Sequence, residues 1–440
     1  MLLSNLVTKT FKFMLRPVGK NLLAMYSLPH HTNNCTNFTE SGNDSFYKIN
    51  LLDRFMTWYY FVRRFRNISA TDIENHHLCS SEQIEEYIQF SDEIINKRNS
   101  DEIKISIVTP NYNGGRFLNQ LRNSLIRQTI ARQVEWVIVD DGSTDESMMF
   151  YEGLINEDKL GAVRVFRNFQ NLGAGKALNI GFSKASANVI GWVSVDDYYA
   201  TVDKLEKDLG IIQDGADVVY SSTTLLVSEK GRVLFQVNVP NFVKSADSIM
   251  MFLINSFSSY INSSSLVMKR ELFEQLGGFN TALGNVDGDF DLFARAALLR
   301  KKIEFSNTRT AITLHKGQTS QNYWKMFLGA NLTRLSYTRF LINSGEKEEL
   351  YHSLKLFLKY FKHYKFAFIG SLIRGSYYLW LKKLMREEFE LILNQLSLPT
   401  DVRRKMELAE DKIYQLSDEF MQTVVFQKFA ELYKKQKEKN

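Results

Sequence analysis

The run Lys104-Ile-Ser-Ile-Val-Thr-Pro-Asn-Tyr-Asn113 is β-branched and apolar until it stops abruptly at polar and turn-forming residues, and Val137-Ile-Val-Asp140-Asp141-Gly142-Ser143-Thr144-Asp145 repeats that design. A strand buried on both faces reads this way when its C-terminal end opens onto a ligand. Between the two lies a helical pattern from Arg116 to Gln128, which completes a βαβ unit, and in an open α/β sheet such units bind beyond the carboxyl ends of their strands. Those ends carry Tyr112, Asp140 and Asp141. A flat ring that stacks on a base, beside carboxylates that accept from ring N–H or ribose hydroxyls, suits a nucleotide better than a bare anion.

The alternation continues. Strands are expected at Ile103–Thr109, Glu135–Val139, Ala162–Arg167 and Val189–Val195, with helices near Arg116–Gln128, after Thr144, and at Gly173–Ala185. Beyond Asp197 the pattern predicts a helix through Ile211, strands at Asp217–Val227, Arg232–Val237 and Ser264–Met268, and a helix at Glu271–Leu276, which is a mixed rather than strictly βαβ order. Ser80–Lys97 reads as a short helix before the core. After Ser320 the sequence is helical almost to its end, with a final charged helix from Asp401 to about Lys437 behind Pro399.

The ordered set Pro110-x-Tyr112-Asn113, Asp140-Asp141-Gly142-Ser143-x-Asp145, Asn171-x-Gly173…Asn179-x-Gly181 and Asp196-Asp197 resembles the family-2 inverting glycosyltransferases. The resemblance spans roughly Ile103 to Ser320. It implies a GT-A, Rossmann-like α/β fold with a mostly parallel central sheet flanked by helices. It also implies a glycosyltransferase domain over 101–320, between a helical and loop extension (1–100) and a helical C-terminal region (321–440).

By the same resemblance Pro110, Tyr112, Asn113, Asp140, Asp141, Asn171, Gly173, Lys176 and Asp196 bind a nucleotide-sugar donor, with UDP-sugar preferred. Asp196, Asp197 and His315 hold Mn2+ or Mg2+ against the leaving diphosphate, since hard carboxylate oxygens suit such ions. Val286-Asp287-Gly288-Asp289-Phe290-Asp291-Leu292, downstream of Gly277-Gly278-Phe279, resembles the family's acceptor-side acidic segment. That makes Asp289 the general base for an acceptor hydroxyl on a glycan or lipid-linked saccharide, and Asp291 a helix cap. The chain departs from the family at Ser194, where the first Asp of the acidic motif usually stands, and at Gly288, usually Glu. A catalytically degenerate sugar-nucleotide-binding protein and a nucleotidyltransferase are the alternatives; the latter favours a basic Gly-rich loop after the first strand, where Asn111-Tyr-Asn-Gly-Gly115 presents an aromatic instead.

A net charge of +6 over 440 residues is mild, and Lys and Arg form no dense block of the kind that binds nucleic acid. Cys35 and Cys79 suggest neither a disulfide framework nor a metal cluster, which fits a reducing cytoplasm. No uninterrupted apolar run reaches the ~18 residues of a spanning helix. Leu3–Arg16 is an amphipathic basic helix pattern, Leu51–Arg66 mixes aromatics with arginine, and Phe366–Leu381 is apolar but interrupted by Arg374. These segments leave two expectations open: packing on the main domain, or peripheral contact with the cytoplasmic face of a membrane.

Overall fold

The computed structural model describes residues 68–79, 84–244, 246–257, 261–284, 288–318, 323–353 and 398–439. The segments Leu3–Arg16, Leu51–Arg66 and Phe366–Leu381 lie outside the described residues, as do Cys35 and Asp287.

The chain enters its sheet at β1 (Ser91–Arg98), followed by β2 (Ile105–Asn111), helix α1 (Gly115–Ile126), β3 (Val134–Asp140), α2 (Ser147–Leu154), β4 (Ala162–Asn168), α3 (Ala174–Lys184) and β5 (Val189–Trp192). Strands β4, β3, β2 and β5 lie side by side and parallel. Every residue of β3 is buried, as a central strand covered on both faces requires. Alternate side chains serve opposite faces: Ile107, Trp136, Ile138 and Val165 join the core under α1 and α2, whereas Val108, Val137, Val139 and Phe166 join the core under α3.

The second half is mixed, as its sequence pattern predicts. It runs β6 (Asp197–Tyr199), α4 (Lys204–Gln213), β7 (Val218–Ser228), β8 (Val233–Asn238), α5 (Ser248–Phe257), β9 (Val267–Lys269), α6 (Arg270–Leu276), α7 (Gly288–Leu298) and β10 (Ile303–Leu314). The sheet continues from β5 through antiparallel β9 to β7, then to β10 parallel to β7 and β6 antiparallel to β10, while β8 pairs with the free half of β7. This order aligns the C-terminal ends of β2, β3, β5 and β10 along one rim.

Helices α8 (Tyr323–Asn343), α9 (Thr400–Met421) and α10 (Val424–Lys439) follow. Leu335 and Tyr337 of α8, Ile413 and Phe420 of α9, and Phe426 and Phe429 of α10 bury into the same apolar core as α3 and α7. Among the described residues no helix is long and apolar enough to cross a membrane.

Three elements differ from the sequence pattern. Of the expected Ser80–Lys97 helix, Ile84–Tyr87 is α-helical and Ile88–Phe90 is a 3-10 turn, while Ser91–Arg98 forms β1, antiparallel to β4, with Glu93 paired to Arg164 at 2.6 Å. The charges that guard an exposed sheet edge conceal strand alternation there. Asp197 opens a three-residue strand, not a helix. The final helix divides at Gln422–Thr423, where the Thr423 hydroxyl accepts from Phe426 N at 3.4 Å; with neither Pro nor Gly at the break, nothing in the sequence pattern marks it.

Gly181 in α3 lies where the helix presses on the sheet. A Cβ there would collide with Val108 Cγ1 and meet Val139 Cγ2 at 3.1 Å. Gly181→Ala is therefore expected to destabilise the fold by about 1–3 kcal/mol, because overpacking outweighs the gain in helix propensity. Urea denaturation reads this as a lowered midpoint with unchanged slope; an unchanged midpoint would mean that α3 moves off the sheet freely.

Candidate active site

At the end of β2, Asn111 is buried, donating from Nδ2 to Ser147 Oγ at 2.9 Å and Tyr151 OH at 2.7 Å and accepting from Gly114 N at 3.1 Å. Asn113 takes a left-handed φ of 53°, donates its N–H to Ser143 Oγ at 2.9 Å and accepts from Thr144 N at 2.8 Å. Its side chain thus joins the β2–α1 turn to the β3–α2 turn. The same turns leave the Tyr112 ring 53% exposed, open to stack on a planar ligand. Pro110 is half-buried at the penultimate position of β2.

The two carboxylates ending β3 part company. Asp140 is fully buried, with Oδ1 accepting from Ser143 N at 2.7 Å and Oδ2 lacking a hydrogen-bond partner. Asp141 accepts from Asn168 Nδ2 at 2.7 Å, Leu172 N at 2.8 Å and Gly173 N at 2.7 Å, so it fixes the loop that carries Asn171. Burial pushes its carboxyl above the usual carboxylate range, against the pull of those hydrogen bonds. Asn171 is exposed, Gly173 has a φ of 92° that admits glycine readily, and Lys176 sits in the first turn of α3 with Nζ 5.2 Å from the Tyr87 ring centre. Asn179 is structural: it donates to Tyr87 OH at 2.9 Å and Phe279 O at 3.0 Å and accepts from Phe279 N at 2.8 Å.

Beyond β5, Asp196 Oδ2 and His315 Nε2 meet at 2.9 Å, His315 standing just past the end of β10. His315 Nδ1 lies 2.8 Å from the Lys316 carbonyl and 3.2 Å from Arg116 Nη2, and the Phe117 ring packs beside the imidazole at 4.7 Å. Asp197 faces elsewhere. Its Oδ2 accepts from Ser264 Oγ, which is also 3.1 Å from Ser194 Oγ, and its buried Oδ1 has no hydrogen-bond partner. Burial, reinforced by the neighbouring Asp196 charge, pushes the Asp197 carboxyl well above the carboxylate range.

Asp289 occupies the first turn of α7, partly exposed, and accepts from Ser263 Oγ. Asp291 does not cap the helix: one turn on, Arg295 donates to it at 2.6 and 3.0 Å, and Tyr337 OH donates at 2.7 Å.

Ser263 and Ser264 are consecutive, so the turn Asn262–Ser265 touches Asp289 with one hydroxyl and the Ser194–Asp197 segment with the next. Asp196 in turn reaches His315, and His315 reaches Arg116 behind Tyr112. Sequence reasoning selected neither serine nor Arg116. A polar Asn-Ser-Ser-Ser run directly before an apolar strand was the available signal for the first two.

For a divalent ion, a carboxylate oxygen beyond the end of β5 and an imidazole nitrogen beyond the end of β10 already converge, and the Lys316 carbonyl lies beside Nδ1. Among the described residues no group of three or more His, Cys, Asp or Glu is clustered for a metal, so Asp196 and His315 form a two-donor set. Mg2+ and Mn2+ suit such a set, since substrate phosphates and water complete their shells.

Residues 106–277 match the model of glycosyl transferase family 2. An uncharacterized glycosyltransferase of Rickettsia prowazekii is 26% identical over 279 residues, 60% of this chain and 83% of that protein. Another, from Rickettsia conorii, is 31% identical over 191 residues, which are only 30% of that protein's length. Glycosyltransferase GlyG of Streptococcus pneumoniae is 29% identical over 211 residues, 46% of this chain and 68% of that protein. Among solved structures, Staphylococcus aureus TarS 1-349 in complex with UDP-GlcNAc has a TM-score of 0.43 at 18% identity, covering 73% of this chain and 92% of that one. The mannosyltransferase PcManGT of Pyrobaculum calidifontis, in complex with GDP-Man and Mn2+, has a TM-score of 0.45 at 13% identity, covering 84% and 96%. The matched residues and the glycosyltransferase relatives agree: residues 106–277 form a glycosyl transferase family 2 domain.

Proposed function

We propose that this enzyme moves a sugar from a UDP-sugar to a hydroxyl of a glycan or lipid-linked saccharide, with inversion at the sugar carbon. The observation that carries this reading is the Asn262–Ser265 turn, whose adjacent hydroxyls tie the acid of the acceptor side, Asp289, to the Asp196 end of the donor side. Tyr112 stacks on the base, and the loop fixed by Asp141 brings Asn171, Gly173 and Lys176 to the nucleotide. Asp196 and His315 hold the divalent ion, which when bound supplies positive charge against the leaving diphosphate. Asp197 orients the Ser194 and Ser264 hydroxyls rather than binding the ion. Asp289 Oδ takes the acceptor's proton as its oxygen attacks from the face opposite the leaving group. In this reading residues 101–320 carry the transfer chemistry.

Binding of UDP with Mn2+, followed by calorimetry and by a rise in melting temperature, tests the donor class. Tyr112→Ala is expected to weaken UDP binding about 5–150-fold, the equivalent of ~1–3 kcal/mol for a stacked base. A wild-type protein that binds no UDP, or a variant that binds it equally well, removes the stacking platform from the reading.

A further inference from the structure

Lys204, the first residue of α4, is wholly buried, and so is Asp208 one turn on. The Lys204 ammonium donates to Asp208 Oδ2 and, at 3.0 Å, to the carbonyl of Ser265, with the Tyr199 ring centre 4.8 Å from Nζ. Asp208 Oδ1 has no hydrogen-bond partner. A buried ion pair with an unpaired oxygen is no more favourable than apolar side chains of the same volume, so stability does not account for it. What two apolar side chains could not do is hold a carbonyl.

That carbonyl closes the Asn262–Ser265 turn. Ser265 Oγ donates to Asn262 O at 2.6 Å and accepts from Ser221 N of β7 at 3.1 Å, while Asn262 Oδ1 accepts from Ser264 N at 3.1 Å. The turn is thus fixed to β7 through the Ser265 side chain and to α4 through the Ser265 main chain. It carries Ser263, which donates to Asp289, and Ser264, which donates to Asp197 Oδ2 and lies 3.1 Å from Ser194 Oγ. A shift of the turn moves both hydroxyls at once.

We infer that Lys204, with Asp208 as its counter-ion, anchors the Asn262–Ser265 turn so that Ser263 and Ser264 meet Asp289 and Ser194 in register. Fully enclosed, Lys204 touches no substrate; it is a positioning residue that acts through the turn. Its consequence for turnover rests on the reading of Asp289 given above, whereas its hold on the turn does not.

Lys204→Met alone strands the Asp208 carboxylate, and the resulting instability would hide any local effect. The deciding variant is therefore Lys204→Met with Asp208→Leu in the full-length protein, which removes both charges and leaves the space filled. Its urea midpoint is expected to match or exceed that of the wild type. Hydrogen exchange read by mass spectrometry should show the amides of 262–266 exchanging at least about 10-fold faster, with α7 and β9 unchanged. Turnover is read as UDP released from UDP-GlcNAc or UDP-glucose with Mn2+, water serving as acceptor; kcat should fall about 10–100-fold while UDP affinity stays within about twofold. A pair that only stabilises α4 predicts either a lowered midpoint with faster exchange throughout the sheet, or a restored midpoint with wild-type exchange at 262–266, and each result overturns the inference. So does wild-type turnover from a loosened turn. If the wild type releases no UDP from either sugar, the donor reading fails, and the exchange result alone decides whether Lys204 anchors the turn. An Asp289→Asn protein that turns over normally removes the base but not the anchor.

Discussion

Asp289→Asn is expected to lower kcat for sugar transfer by about 10²–10⁴-fold, the worth of a positioned general base, while leaving UDP affinity within twofold. The amide fills the same volume, and its oxygen still accepts from Ser263 Oγ, so the first turn of α7 keeps its shape. What disappears is the ability to receive a proton while the acceptor oxygen forms its bond. The loss therefore falls on kcat and not on donor binding, and the two are separated by measuring transfer and UDP calorimetry on one preparation. A variant that transfers within threefold of the wild type would place the base elsewhere and break the link drawn between Asp289 and the Asn262–Ser265 turn.

Arg295→Ala carries the largest expected stability loss, about 3–5 kcal/mol. The guanidinium is wholly buried, donating to Asp291 at 2.6 and 3.0 Å, to Leu276 O at 2.7 Å and to Gly278 O at 2.7 Å. Truncation leaves a carboxylate uncompensated in the core and orphans both carbonyls, which costs more than the pair itself contributes. Replacing Arg295 and Asp291 together by Leu should recover part of the loss, because no unpaired charge remains; the unrecovered part reports the carbonyls and Tyr337 OH. Urea denaturation of the single and double variants checks this, and a single-variant loss below 1 kcal/mol would show that water reaches the pocket.

The strand ends were legible because they break a strong pattern: Tyr112, Asp140 and Asp196 each follow a run of β-branched residues with no amphipathic alternation, and that switch survives in one dimension. Asp289 was singled out only by resemblance, since acidic residues at a helix start serve as caps more often than as bases. Asp291 shows why the ordinary expectation fails: its i+4 partner Arg295 is visible in the sequence, but the burial of the pair appears only once Leu276 and Gly278 fold over it. Ser263, Ser264 and Arg116 escaped for a related reason. Hydroxyls and exposed arginines are common, and only the pairing of β10 with β7 and β6 brings His315 and Asp196 to the rim beside Arg116. β1 and the division between α9 and α10 were hidden because charged edges and uninterrupted helical composition look alike in sequence.

Tyr337 belongs to α8, well past the stretch that matches the family, yet its hydroxyl completes the shell of Asp291, two residues from Asp289, and its ring is enclosed by Phe420, Phe426 and Phe429. The tail therefore braces the helix that carries Asp289 and is not an appendage. Recombination between α7 and α10 would part the helix that carries Asp289 and Asp291 from the aromatic cage around Tyr337.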